Sequence, residues 1–235
     1  MLGMGGSLSA DPASLIFHDL ASYTDLAFYY KNGVEASTGN WSDQSGNNNH
    51  MVQTSVGSQG IKLLGGINMN GVDQYYSLTS AIDVTGEAPF AMFCALTNLD
   101  YTTPNSLLSK HGTLETIELT SDRLIKIQQS DTAATTLSGA PNTFPTKTYM
   151  VICITKDAQR RYTVYKDGAL LSLDPANNPP LSSSSSIFTH VGAGHDVENI
   201  INYFGGTILE LGLYERELSQ LEIDTVNSYL VNKLL

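Results

Sequence analysis

The chain has 235 residues, a formal net charge of −11, 41 % apolar residues and only 15 % charged ones. That is enough apolar material for one large domain with a sizeable core. Strong acidity disfavours nucleic acid and anionic membrane surfaces as partners, because both ask for Lys and Arg against phosphate. No stretch is apolar for long enough to span a bilayer, so membrane insertion is not expected.

Residues 1–14 are rich in Gly and Ser, lack periodicity and read as a flexible arm that could be ordered by a partner. Its opening, Met1-Leu2-Gly3-Met4-Gly5-Gly6-Ser7-Leu8-Ser9, has neither a basic region nor a continuous apolar one. If Met1 is the native start, export by a secretory signal is not expected. Over residues 15–235 short apolar runs alternate with turn clusters, the pattern of a sandwich or barrel. Phe90 to Leu96 is apolar on both alternating faces and predicts a central strand. Arg123 to Gln128 alternates, with Ile125 and Ile127 on one face and Lys126 and Gln128 on the other. Tyr149 to Ile154 reads as a second central strand. Arg161 to Tyr165, Asp167-Gly168 and Ala169 to Leu171 predict a hairpin, because Asp-Gly supplies the positive φ of a tight type I′ turn. Asn177-Asn178-Pro179-Pro180 and Ser182 to Ser186 predict a loop. Thr207 to Tyr214 places Leu209, Leu211 and Leu213 on one face with Glu210 opposite. Ser219 and Glu222 form a capping box, and Ile223, Val226, Leu230 and Leu234 follow at helical spacing. The expected architecture is an all-β, two-sheet antiparallel sandwich with a short C-terminal helix.

Cys94 and Cys153 each sit inside one of the apolar runs. Two buried free thiols are the favoured reading, since free Cys packs as a small hydrophobe. A disulfide would require neighbouring strands in register, which a sequence does not show.

Four ordered segments carry a family resemblance. Trp41-Ser42-Asp43-Gln44-Ser45-Gly46-Asn47 is similar to a Trp-x-Asp-x-Ser-Gly-Asn turn. Gly66-Ile67-Asn68-Met69-Asn70-Gly71-Val72-Asp73-Gln74-Tyr75-Tyr76 is similar to a Phe-Asp-Gly-x-Asp-Asp-Tyr hairpin, with Met69 and Asn70 in place of Phe and Asp. Tyr162 to Gly168 matches a Leu-Tyr-Val-Asp-Gly hairpin, and Phe204 to Ser219 a closing strand and helix start. Together they resemble the laminin-G-like branch of the concanavalin-A-like lectin and glucanase superfamily. The resemblance implies a jelly roll that binds glycans or proteins at its loops or concave face.

The glucanases of that superfamily carry Glu-x-Asp-x-x-Glu on a strand, a carboxylate pair flanking the scissile bond. The near match here, Glu222-Ile223-Asp224-Thr225-Val226-Asn227, ends in Asn and lies in the predicted helix. There is no Gly-x-Ser-x-Gly elbow, phosphate-binding glycine loop or His-Glu-x-x-His helix. His18, His50, His111, His190 and His195 are scattered, and His190 and His195 read as flanking a strand end and turn around Gly192-Ala193-Gly194. An enzyme is therefore not expected from these motifs, and a catalytic domain of unfamiliar type is the minority reading.

Asp43, Ser45, Asn47 and Asn49 offer hard oxygens at alternate positions, which superficially suits calcium, with Asp43 and Asn47 as the ligands to consider. Gly46 is misplaced for an EF-hand, only one carboxylate is present, and a turn held by side-chain-to-backbone bonds is favoured. No other cofactor is expected. For a ligand, the candidates are Asp43, Asn48 and Asn49 in this loop, Tyr101 in a polar loop, and Tyr75 or Tyr76, of which strand alternation turns one inward. Trp41 reads as structural.

Two functions suit these observations. The favoured one is a phage virion surface protein (a capsid decoration, fibre or tail-associated piece) that meets other virion proteins through residues 1–14 and has room for a glycan-binding adhesion role. The alternative is a cellular carbohydrate-binding, lectin-like module without a virion role, meeting cell-surface glycans in an extracellular setting. Both are compatible with a homo-oligomer.

Overall fold

A computed structural model describes residues 25–234 except 32, 64, 85–87, 98–99, 113–114, 130–132, 138–143, 147, 172–185 and 197. The expected arm, residues 1–14, the start of the expected domain and most of the Asn177–Ser186 loop lie outside the described residues. In chain order the strands are β1 (Leu26–Tyr30), β2 (Asn40–Trp41), β3 (Met51–Val52), β4 (Ile61–Leu63), β5 (Gly66–Asn70) and β6 (Tyr76–Val84). They continue as β7 (Phe90–Thr97), β8 (Asn105–Ser109), β9 (Thr116–Leu119), β10 (Ile125–Gln129), β11 (Ala133–Leu137) and β12 (Met150–Lys156). The last are β13 (Tyr162–Lys166), β14 (Ala169–Leu170), β15 (Ser186–Val191), β16 (Gly194–His195), β17 (Ile200–Ile201) and β18 (Gly205–Tyr214), followed by helix α1 (Gln220–Leu234).

Two large antiparallel sheets result. The first has the order β14-β13-β12-β7-β18-β5-β4, with β1 also paired to β18; the second has the order β11-β10-β9-β8-β15-β6-β3-β2. Between them lies one core, to which the first sheet gives Phe90, Met92, Cys94, Leu96, Met150, Ile152 and Ile154, and the second Trp41, Tyr76, Ile117, Leu119, Ile125, Ile127 and Phe188. A second core lies on the far side of the first sheet, where Ala91, Phe93, Ala95, Val151 and Cys153 meet Ile223, Val226 and Leu230 of α1. This explains why the two runs are apolar at every position: β7 and β12 are covered by the opposing sheet on one face and by α1 on the other.

The same arrangement settles the cysteines. Cys94 pairs with Ile152, and Cys153 with Phe93, in adjacent strands. Cys94 points between the sheets, however, while Cys153 points under α1. The thiols are on opposite faces of one sheet, free and buried, with Cys153 pushed up to about 12 by burial.

The local signals are realised for the reasons the residues give. Asp167 and Gly168 take φ of 51° and 81°, the two positive values a type I′ turn needs, and join β13 to β14. In the capping box the Ser219 N–H and hydroxyl both donate to Glu222 Oε2 at 2.8 Å, and Arg216 Nη2 donates to Glu222 Oε1 at 2.7 Å. One strand departs from expectation. A bulge between Ile208 and Glu210 shifts the register of β18 on β7. Leu211 and Leu213 therefore join Ile208 in the inter-sheet core, while Leu209 packs on the helix side with Tyr214. Glu210 is buried there too, where Tyr29 donates its hydroxyl to Oε2 at 2.7 Å.

Candidate functional site

With α1 on the first sheet, the outward face of the second sheet is the broad face that the described residues leave to meet a ligand. Its side chains follow from register. Tyr76 and Leu78 point into the core, so Ser77 between them points out, and His190 lies opposite Ser77 and Ser109. By the same alternation, Ile117 and Leu119 point in and Glu118 points out, opposite Lys126 and Ser106. The short hairpin of β16 and β17 folds over this face: a Cβ on Gly194 would stand 2.7 Å from Ser106 Oγ. Ser109 Oγ donates to the Ala193 carbonyl at 2.5 Å.

This folding brings together rings from distant parts of the chain. His195, on β16, stands 4.5 Å from His190 and 4.8 Å from His111, centroid to centroid. His111 is held by its N–H donating to Thr189 Oγ1 at 2.8 Å, and Thr189 Oγ1 also lies 2.8 Å from His190 Nδ1. Tyr75 follows at 5.6 Å from His190, and Tyr203 at 6.3 Å from Tyr75. The row runs Tyr203, Tyr75, His190, His195, His111. Its ends are reachable, with Tyr203 and Tyr75 half-buried and His111 exposed. His190 and His195 are buried behind them.

Burial, then the neighbouring imidazoles, pushes His190 down to about 4. Burial and His111 do the same for His195, also to about 4, against a smaller upward pull from Asp196. Both rings are therefore neutral at pH 7, each with one N–H donor and one acceptor nitrogen. His195 Nε2 is buried and has no hydrogen-bond partner among the described residues. Beside the row, Glu118 accepts from Lys126 Nζ at 3.0 Å, Asn202 Nδ2 at 2.9 Å and Ser106 Oγ at 3.4 Å. The face thus combines a row of rings with a hydrogen-bonded polar floor. Among the described residues no group of three His, Cys, Asp or Glu side chains is placed to hold a metal ion.

The residues expected from sequence are placed elsewhere. Asp43 Oδ1 accepts from the N–H groups of Tyr29 and Ser45, both at 2.8 Å. Its Oδ2 accepts from Ser45 Oγ at 2.7 Å and Asn49 N at 3.1 Å. Both oxygens hold the turn together, as the competing reading of this loop required. Asn47 and Asn49 give their amides to the carbonyls of Leu26 and Ala27. Asn48 is exposed with φ of 60°, and its carbonyl accepts from Thr79 Oγ1 at 2.8 Å. Tyr76 is fully buried and donates to the Thr38 carbonyl at 2.5 Å; the tyrosine turned outward is its neighbour Tyr75. Tyr101 is packed in the inter-sheet core, under the Arg123 guanidinium at 5.6 Å. The structure gathers Asp43, Asn48 and Asn49 into one turn and keeps Tyr76 and Tyr101 apart from it. The reading of His190 and His195 as a strand end and turn holds for their backbone but misses their meeting with His111. The detectable signal was the number of polar and ring-bearing residues at outward positions, not any spacing.

No protein-family model matches the sequence, and no curated protein matches it either. Solved structures do share its chain trace. Trypanosoma rangeli sialidase in complex with a difluoro-KDN matches 89 % of this chain with a TM-score of 0.59 at 16 % identity. The sialidase of that organism without a named ligand matches with 0.58 at 16 % identity. Botulinum neurotoxin type C matches 91 % of this chain with 0.58 at 11 % identity. This chain spans 33 % of the sialidase chains and 53 % of the neurotoxin chain. Identities this low show the fold alone, a β-sandwich compatible with the concanavalin-like class. They give no support to the laminin-G-like branch, a virion setting or an anchoring role for residues 1–14.

The comparisons do correct one expectation. Excluding an enzyme rested on the missing carboxylate pair, yet the matched structures include sialidases, which are enzymes. The physical reason is that the pair is one route to glycoside hydrolysis among several, and sialidases work through a tyrosine nucleophile. An absent motif therefore says nothing about catalysis by another route.

Proposed function

We propose that this chain is a glycan-binding β-sandwich module whose ligand lies along the edge formed by Tyr203, Tyr75 and His111. One observation carries the reading: a continuous row of rings, solvent-reachable at both ends among the described residues, on the polar sheet face opposite the helix. A tyrosine ring offers an apolar surface to the apolar face of a pyranose and a hydroxyl to its rim. Neutral imidazoles both donate and accept, which is what sugar hydroxyls require. Two facts about proteins of shared fold lend support: the neurotoxin enters cells in dependence on ganglioside, and a sialidase structure holds sialic acid.

The test is a glycan array followed by titration of any glycan retained. Wild-type protein should bind saturably, and Tyr75→Ala and Tyr203→Ala should each weaken binding at least about thirtyfold, an effect of hot-spot size, while melting as wild type does. Equal binding by both variants, or a blank array, would sink the proposal.

A further inference from the structure

A second feature lies on the opposite side of the molecule, away from the ring row. A cavity of about 340 Å³ opens between α1 and the β13–β14 turn, lined among others by Asp167, Asp224, Asn227, Ser228 and Asn232. Asn227 is the unexpected member. It lies on the docking face of α1, four residues after Ile223 and three before Leu230, where an apolar side chain would pack. It is 1 % exposed, and among the described residues neither its Oδ1 nor its Nδ2 has a hydrogen-bond partner. An amide buried without partners costs about 1–3 kcal/mol for each unmet group.

The other polar groups define what would fit. Asp167 is engaged: Oδ1 accepts from Val151 N at 2.9 Å, and Oδ2 pairs with Lys166 at 2.7 Å. Asp224 accepts from a neutral donor, the Gln220 amide, at 2.8 Å through Oδ1. Among the described residues no Lys, Arg or His lines the cavity. An anionic ligand would meet the carboxylates of Asp167 and Asp224 there, whereas an ammonium group would meet Asp224. The Asn227 amide asks for one donor and one acceptor, which a hydroxyl supplies together. The volume is at the small end of ligand pockets, about 300–1,000 Å³.

We infer that this cavity is a second ligand site, selective for a small sugar bearing a free amine, with Asp224 receiving the ammonium and Asn227 the neighbouring hydroxyls. It is separate from the ring row and does not depend on the glycan-binding reading of that row.

The experiment is an NMR titration of the full chain with glucosamine, using glucose as the uncharged control. Glucosamine should move the amide signals of residues 167–168 and 224–232, and glucose should bind at least about tenfold more weakly. Asp224→Asn should lose most of the glucosamine affinity. Asn227→Leu should lose it as well while melting at or above the wild-type temperature, because the variant removes an unmet buried amide. Tyr75→Ala should leave it unchanged, which separates this site from the ring row. Shifts absent from residues 224–232, equal binding of glucose, or full binding by the Asp224→Asn and Asn227→Leu proteins would overturn the assignment.

Discussion

At the scale of single residues, the buried imidazoles have the clearest consequence. His190 and His195 are held down to about 4 in the folded chain, by burial first and by neighbouring histidines next, whereas an unfolded histidine titrates near about 6.5. Between those values the unfolded chain binds more protons than the folded one, so stability is fullest above about 6.5 and declines as pH falls towards 4. Other groups share part of this window. Glu222, at about 2 through its bonds from Arg216 and Ser219, loses its contribution only below its ordinary 4.5. Glu215 is raised by burial and by Asp25 and Asp83, so its slope runs the other way. The comparison that isolates the imidazoles is therefore wild type against His190→Gln. The urea midpoint of wild type should fall between pH 6.5 and 4.5, and that of His190→Gln should fall less; parallel curves would contradict the account. Sequence reading missed this cluster for a physical reason. His111, His190 and His195 come from a turn, a strand and a folded-over hairpin, and only the tertiary arrangement makes them neighbours. Asp43 shows the opposite case: Asx-type bonding is local, so a turn held by Asp43 was legible from Asp43-x-Ser45 alone.

At the scale of elements, most of what was legible was periodicity and turn chemistry. β7 and β12 announced themselves because both their faces are buried, and the β13–β14 turn because Asp-Gly leaves few other conformations. The register of β18 was hidden, since one bulge between Ile208 and Glu210 moves every later side chain to the other face. The residues after that bulge make the strand unusually intolerant. Gly212 lies opposite Phe93, and a Cβ added to Gly212 would stand 2.3 Å from Phe93 Cζ. The ring is confined between Tyr29 and Tyr214, at centroid distances of 5.7 and 5.9 Å. Gly212→Ala should therefore destabilise the protein by about 1–3 kcal/mol, the usual cost of overpacking a filled core. Combined with Phe93→Leu, the loss should be smaller than the sum of the two single losses, since the smaller side chain relieves the clash. Denaturant titration of the four proteins reads this directly, and strict additivity would show that the ring is not the obstacle.

At the scale of the whole molecule, three layers share one central sheet: the second sheet packs on its inner face and α1 on its outer face. The two cores need not open together. The inner one is continuous over both sheets, with Trp41, Tyr76, Phe90 and Phe188 fully or nearly fully buried. Among the described residues the outer one is closed by one fifteen-residue helix, docked through Ile223, Val226 and Leu230. Local openings span a range of free energies, and elements held by few contacts open first. The cysteines report on each layer separately, because Cys94 belongs to the inner core and Cys153 to the outer one. Burial raises both thiols, so neither reacts until its own layer opens and thiolate can form. Under native conditions a thiol reagent should therefore modify Cys153 before Cys94. Leu230→Ala, which removes buried side chain from the helix contact alone, should accelerate modification of Cys153 by more than that of Cys94. A large-to-small change there costs about 2–5 kcal/mol, so the acceleration at Cys153 should exceed tenfold if α1 opens by itself. Mass spectrometry of the labelled peptides distinguishes the two sites. Simultaneous labelling at one shared rate would mean that the layers unfold as a unit, and that removing α1 from the central sheet already requires the sandwich to open.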